Sequence, residues 1–188
     1  MPASADKARS LLARHGKTRS QAASAWTGDF ALPPAVERFY REVGPVDIEV
    51  EGLGNACFLP SLAGLRALQV GYRWHGETGK RLSDWPDEWL VVAYEGGDPF
   101  IFSTKENKIL LAEHGQGAWD PEEIFDDLNT MAACLAALGS VIRGAGESIW
   151  DASFGVRPKF RQAAAREIAP FVGSAEGADT VLGLLGWG

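Results

Sequence analysis

His114, in the segment LAEHGQGAW, stands beside Glu113 and downstream of Asp98 in the Gly-Gly-Asp-Pro stretch. A histidine next to a carboxylate is the usual equipment of a general base. Hydrolysis also needs a nucleophile or a metal, and donors aimed at a developing oxyanion. The chain has no Gly-x-Ser-x-Gly elbow, no His-Glu-x-x-His run, and no histidine close to either cysteine. The expected role of His114 is therefore structural, its ring nitrogens bonded to the backbone of the Gly115–Gly117 turn. A partner contact is the second reading and catalysis the third. His15 falls in an N-terminal helix and His75 in a polar turn.

Two further motifs invite chemistry and fail on spacing. "HGKT" suggests a phosphate loop, but that loop needs a glycine where this chain has Leu11. Without it the backbone cannot form the cradle of N–H groups that holds phosphates. Cys57 and Cys134 are far apart, and with three scattered histidines they give no zinc spacing. They are expected as buried free thiols. No metal and no cofactor is expected.

The aromatic and acidic residues suggest recognition instead. Tyr72, Trp74, Trp85, Trp89 and Trp119 cluster in the middle of the chain. Trp89 begins an apolar run and is expected in the core. Trp85, in the polar segment SDWPDE, either plugs the core or waits for a partner, and the same two readings hold for Trp74. Joined beside a sheet, these loops make an aromatic patch rimmed by Asp84, Asp87, Glu88 and Asp98. That rim suits a basic protein and repels nucleic-acid phosphates. Asp120, Glu123 and Asp127 are expected near the start of a helix, where they supply favourable charge and could form an acidic strip.

Around these residues the elements follow from periodicity. ADKARSLLARHG reads as a short helix ending at Gly16. Pro34 suits a first helical turn, and Val36, Phe39, Tyr40 and Val43 give one apolar face before Gly44 and Pro45 stop it. Val46, Ile48 and Val50 alternate with Asp47, Glu49 and Glu51, the pattern of a half-buried strand. Ser61 caps an expected helix with Leu62, Leu65, Leu68 and Gln69 at helical spacing. Residues 89–94, 99–103 and 109–112 read as a three-stranded antiparallel meander joined by two short turns. Asp120 and Pro121 are expected to open a long helix over Ile124, Leu128, Met131, Leu135 and Leu138, ending near Gly139. Two short helices break near Pro170 and Gly173. The class is α+β: a central, mainly antiparallel sheet with helices packed on it, plus a C-terminal helical extension. The expected division is an N-terminal helix or arm over 1–24, an α+β domain over 25–140, and a helical extension over 141–188 packed on the same domain.

A chain of 188 residues with 46% hydrophobic and 23% charged residues can enclose a real core. Its net charge of −7 is concentrated in the centre, where residues 46–130 hold 6 basic against 16 acidic side chains. An acidic centre disfavours phosphate-backbone binding and favours a basic protein partner. The N-terminal residues lack the apolar run of a secretory signal, and no window is continuously apolar enough for a membrane span, so the cytoplasm is the expected compartment.

Taken in order, LPPAVERFYREVG, LPSLAGLRALQVGYRW, WPDEWLVVAYEGGDPFIFS and KILLAEHGQGAW before DPEEIFDDLNTMAACL resemble the SUKH superfamily. That superfamily includes yeast cell-wall-synthesis regulators and many bacterial immunity proteins of toxin systems. The likeness covers roughly residues 30–140 and departs at REVGP, where the family often has an Asn-Gly turn. It implies a non-enzymatic α+β binding module, an immunity protein occluding a basic toxin domain such as a nuclease. The alternatives are a regulatory scaffold holding a peptide or small ligand, and a small hydrolase using His114 as base. Oligomeric state is left open.

Overall fold

Pro34 opens α2 (Pro34–Glu42), and its missing N–H does no harm in the first turn. Val36, Phe39, Tyr40 and Val43 bury the predicted face, and Gly44 ends it at φ +58°, a conformation open to glycine. The computed structural model describes residues 2–28 and 30–188. Among them α1 (Ala5–Leu12) is capped by Ser4, whose hydroxyl accepts from the Lys7 N–H. It ends before the expected Gly16.

Six strands form one antiparallel sheet in sequence order: β1 (Ile48–Val50), β2 (Cys57–Leu59), β3 (Trp89–Glu95), β4 (Asp98–Ser103), β5 (Lys108–Leu111) and β6 (Glu122–Phe125). The meander is β3 to β5, as its apolar runs and turns predict. Alternation assigns the faces. Leu90, Phe100, Phe102 and Ile109 join the main core with the helices, while Val91, Ile101 and Leu110 point to the opposite side. A bulge between Val91 and Ala93 shifts the register, so Ala93 faces the helices and Tyr94 the other side.

The helical layer is α3 (Leu128–Ala145), α1, α4 (Pro158–Val172) and α5 (Ala175–Leu184). α3 begins later than expected. Asp120 is not its cap; residues 122–125 pair with β5 instead, so Glu122 and Glu123 lie on an edge strand. Asp127 is the cap, its Oδ1 accepting from the Thr130 N–H at 2.8 Å. Pairing supplies β5 with backbone partners it would otherwise lack, a long-range gain that local cap chemistry does not register.

Nor does α3 stop at Gly139. A Cβ there would lie 2.3 Å from Val50 Cγ1, so the glycine marks the close approach of helix to sheet. The expected boundary at residue 140 falls inside this helix, and the main core draws on residues from Ala3 to Trp187. By length and composition Leu128–Ile149 could cross a membrane, but 61% of that apolar stretch is buried inside the fold. A helix apolar on all sides is what packing between a sheet and other helices requires.

The opposite face of the sheet is covered in part by residues 60–88. The helix expected at 62–69 is a run of turns with a single short 3₁₀ segment, Ala67–Gln69. Gln69 explains the geometry. Its buried amide donates to Val91 O at 2.8 Å and Leu65 O at 2.9 Å, and accepts from the Val91 N–H at 3.1 Å. It thereby serves both backbone groups of the residue beside the bulge. Arg73 and Arg81 stitch the rest: Arg73 donates to Asp87 O and Trp89 O, and Arg81 to Leu82 O and the Asp87 carboxylate.

Candidate functional site

Trp85 does not wait for a partner. It is 1% exposed and packs on Val91, Ile101, Leu110 and Ala112. Its ring meets those of Tyr72, Trp89 and Trp119 at 5.4, 5.4 and 5.3 Å. Burying an indole usually requires an acceptor for its N–H, here Trp89 O at 3.1 Å. The expected rim is also altered. Asp87 is bound by Arg81, which holds its carboxyl below the ordinary range, and Asp84 and Glu88 lie in the same stitched loop. Trp85 therefore builds the layer, while the Asp87 side chain, tied to Arg81, stays exposed.

The open aromatic surface lies one strand-pair away. Glu49, Phe58, Tyr94 and Pro99 stand opposite one another across β1, β2, β3 and β4, on the face away from the helices. Phe58 and Tyr94 contact at 5.6 Å between ring centroids. With Leu68, Tyr72 and Val70 they line a groove of about 470 Å³. Val70 is 49% exposed and forms its crest. The Tyr72 hydroxyl donates to Gly97 O at 2.7 Å, and burial, then the nearby Asp98, push it up to about 12. It therefore stays neutral.

Carboxylates surround this groove. Asp47, at φ +50°, turns its side chain to accept from the Ser61 N–H at 2.8 Å, beside Gly64 in the groove wall. Glu49 stands opposite Phe58, and Asp98 follows the wall residue Gly97. Among the described residues no Lys or Arg lines the groove.

His114 meets Asp98, not the Gly115–Gly117 backbone. Its Nδ1 and backbone N–H both lie 2.7 Å from Asp98 Oδ1. The ring packs over Gly97, and its side chain is 60% exposed. The contact joins the β3–β4 turn to the segment after β5. It is the carboxylate pair that the sequence allowed. Trp119 covers Tyr72 and Trp85 at the edge of the inner cluster, and half-buried Trp74 lies beyond Val70. The expected acidic strip does not form on one helix: Asp120 precedes β6, Glu123 pairs with Lys108, and Asp127 caps α3.

One constellation has no sequence signal. Ser140, His15 and Glu51 come together from α3, the turn after α1, and the end of β1. His15 Nε2 lies 3.0 Å from Ser140 Oγ, and Nδ1 3.0 Å from Glu51 Oε2. These are the residue types of a hydrolytic triad. The proton count opposes that use. Nε2 also lies 2.8 Å from Ala136 O, which can only accept, so Nε2 carries the proton and cannot take one from serine. The Ser140 hydroxyl itself donates to Ala136 O. Arg143 donates to both Glu51 oxygens, at 2.6 and 2.7 Å, and its hydrogen bond, first among the causes, holds Glu51 down to about 2. The cluster pins α1 and β1 to α3.

Cys57 and Cys134 are buried free thiols, raised by burial. Among the described residues no group of three or more His, Cys, Asp or Glu is gathered to hold a metal. Comparison of the chain with protein-family models, with curated proteins and with solved structures finds no match.

Proposed function

We propose that the chain is a cytoplasmic, non-enzymatic protein-binding module of the SUKH type, an immunity protein that occludes a basic toxin domain such as a nuclease. The observation that carries this reading is the aromatic groove of Phe58, Tyr72, Tyr94 and Val70, ringed by Asp47, Glu49 and Asp98 and, among the described residues, without a lining cation. A partner fits by placing an apolar side chain against Tyr94 and lysines or arginines against the rim. Burying one such side chain contributes roughly 2–3 kcal/mol. The rim chiefly sets orientation and encounter rate. The ordered motif likeness of residues 30–140 to the superfamily supports the same reading.

Titration of the full chain with the toxic domain encoded beside it tests the proposal. A complex should form at micromolar protein, and Tyr94→Ala should weaken it about 10- to 30-fold. Val70→Asp should weaken it further. No complex at that concentration, or one indifferent to both substitutions, would refute the reading. Acid–base catalysis is the rival, and the His114–Asp98 contact is the observation in its favour. An assayed activity that His114→Gln leaves unchanged removes it.

A further inference from the structure

Val70 separates the groove from a second depression of about 490 Å³, whose chemistry is the reverse. Its side chains include Thr27, Arg66, Trp74 and His75, with Gly76 and Gly79 supplying backbone. No carboxylate lines it among the described residues. The donors are free to act. The Glu77 and Thr78 N–H groups approach His75 Nδ1 at 3.3 and 3.4 Å, so Nδ1 accepts and the ring proton sits on Nε2. Neither the Arg66 guanidinium nor the Trp74 indole N–H has a hydrogen-bond or ion-pair partner among the described residues. The Arg81 guanidinium lies over one face of the Trp74 ring, 5.7 Å from its centroid, and adds positive charge beside the indole.

A cavity of this size suits a small ligand. A lining of donors around an aromatic wall selects an anion with a flat ring. We propose that this depression binds a nucleoside monophosphate, with the base stacked on Trp74 and the phosphate held by Arg66 and the His75 Nε2–H. Arginine forms paired hydrogen bonds to phosphate, and any base offers a π-face to tryptophan. Specificity for a phosphorylated ring follows from needing both halves. The depression shares Ala67 and Val70 with the docking groove but rests on different binding groups, Arg66, Trp74 and His75, so failure of either proposal leaves the other intact.

The experiment is titration of the intact ¹⁵N-labelled protein with AMP and GMP, following the Trp74 indole resonance and the heat of binding. Saturation is expected with a Kd below about 1 mM. Adenosine lacks the phosphate and inorganic phosphate lacks the ring, and each should bind at least about 10-fold more weakly. Arg66→Ala and His75→Ala, both at exposed positions, should each weaken AMP by about 10-fold, and Trp74→Leu by more. Lys159→Ala, in α4, should leave binding unchanged. The proposal is overturned if neither nucleotide gives a saturable response up to about 5 mM, a range set by weak-ligand affinities. It is equally overturned if Arg66→Ala and Trp74→Leu bind AMP as the unaltered protein does, or if adenosine binds as tightly as AMP.

Discussion

Glu95 carries a carboxyl into a place built for apolar groups, and replacing it by glutamine should make the protein more stable at alkaline pH. The residue ends β3 directly opposite Cys57, on the helix side of the sheet. It lines a small crevice of about 20 Å³ with Val50, Leu135, Leu138, Ile142 and Trp187. No ion pair joins it to a described residue. Burial first, and then the charge of Asp98, raise it from 4.5 to about 7.

The sign follows from proton counting. Between the unfolded value near 4.5 and the folded value near 7 the native state holds more protons, so stability falls as pH rises through that window. At about 1.4 kcal/mol per pH unit the full cost above pH 7 is roughly 3 kcal/mol. Glu95 is only half-buried, and screening by solvent reduces the figure to about 1–2 kcal/mol. The assay is urea unfolding of the native protein and Glu95→Gln from about pH 4.5 to pH 8, a span chosen to bracket both values. The difference between the two curves cancels the other titrating groups. Glutamine should match the protonated carboxyl near pH 4.5 and exceed the ionised one by about 1–2 kcal/mol at pH 8. A pH-independent difference would refute the argument that this carboxyl is held in an unfavourable site.

Two further outcomes concern the loop layer and the C-terminal region. Gln69→Leu should lower stability by about 2–3 kcal/mol in urea unfolding, because it strips partners from the buried Val91 N–H and C=O while leaving the side-chain volume nearly unchanged. Phe154 is 85% exposed at φ +60° in a loop braced by Asp151, whose Oδ1 accepts from the Ser153 and Gly155 N–H groups. A bulky residue is strained there, so Phe154→Gly should raise the thermal midpoint, by about 0.5–1 kcal/mol in stability, even though it loosens the unfolded chain.

Much of the architecture was legible because its causes are local. The face of Val36, Phe39 and Tyr40 and the stop at Gly44 lie within three turns of one helix. The meander from Trp89 to Leu111 follows from short apolar runs and turn residues only a few positions apart. The site was harder to read. Trp85 offered two readings, and only the position of Ile101 and Leu110 beneath it decided for the core. Phe58 and Tyr94 gave no signal of a joint surface, because the register that sets them side by side joins residues far apart in the chain.

The amino-acid sequence by itself determined the α+β class, the order of most elements, the acidic character of the middle of the chain and the pairing capacity of His114 with Asp98. Tertiary structure decided which of two aspartates begins α3, which aromatic side chains stay open, and that Ser140, His15 and Glu51 meet at all. The physical reason is one of range. Periodicity, caps and turns act over a few residues, whereas a strand's partner, the face a loop covers and the proton position on a buried imidazole depend on groups the chain brings together only by folding.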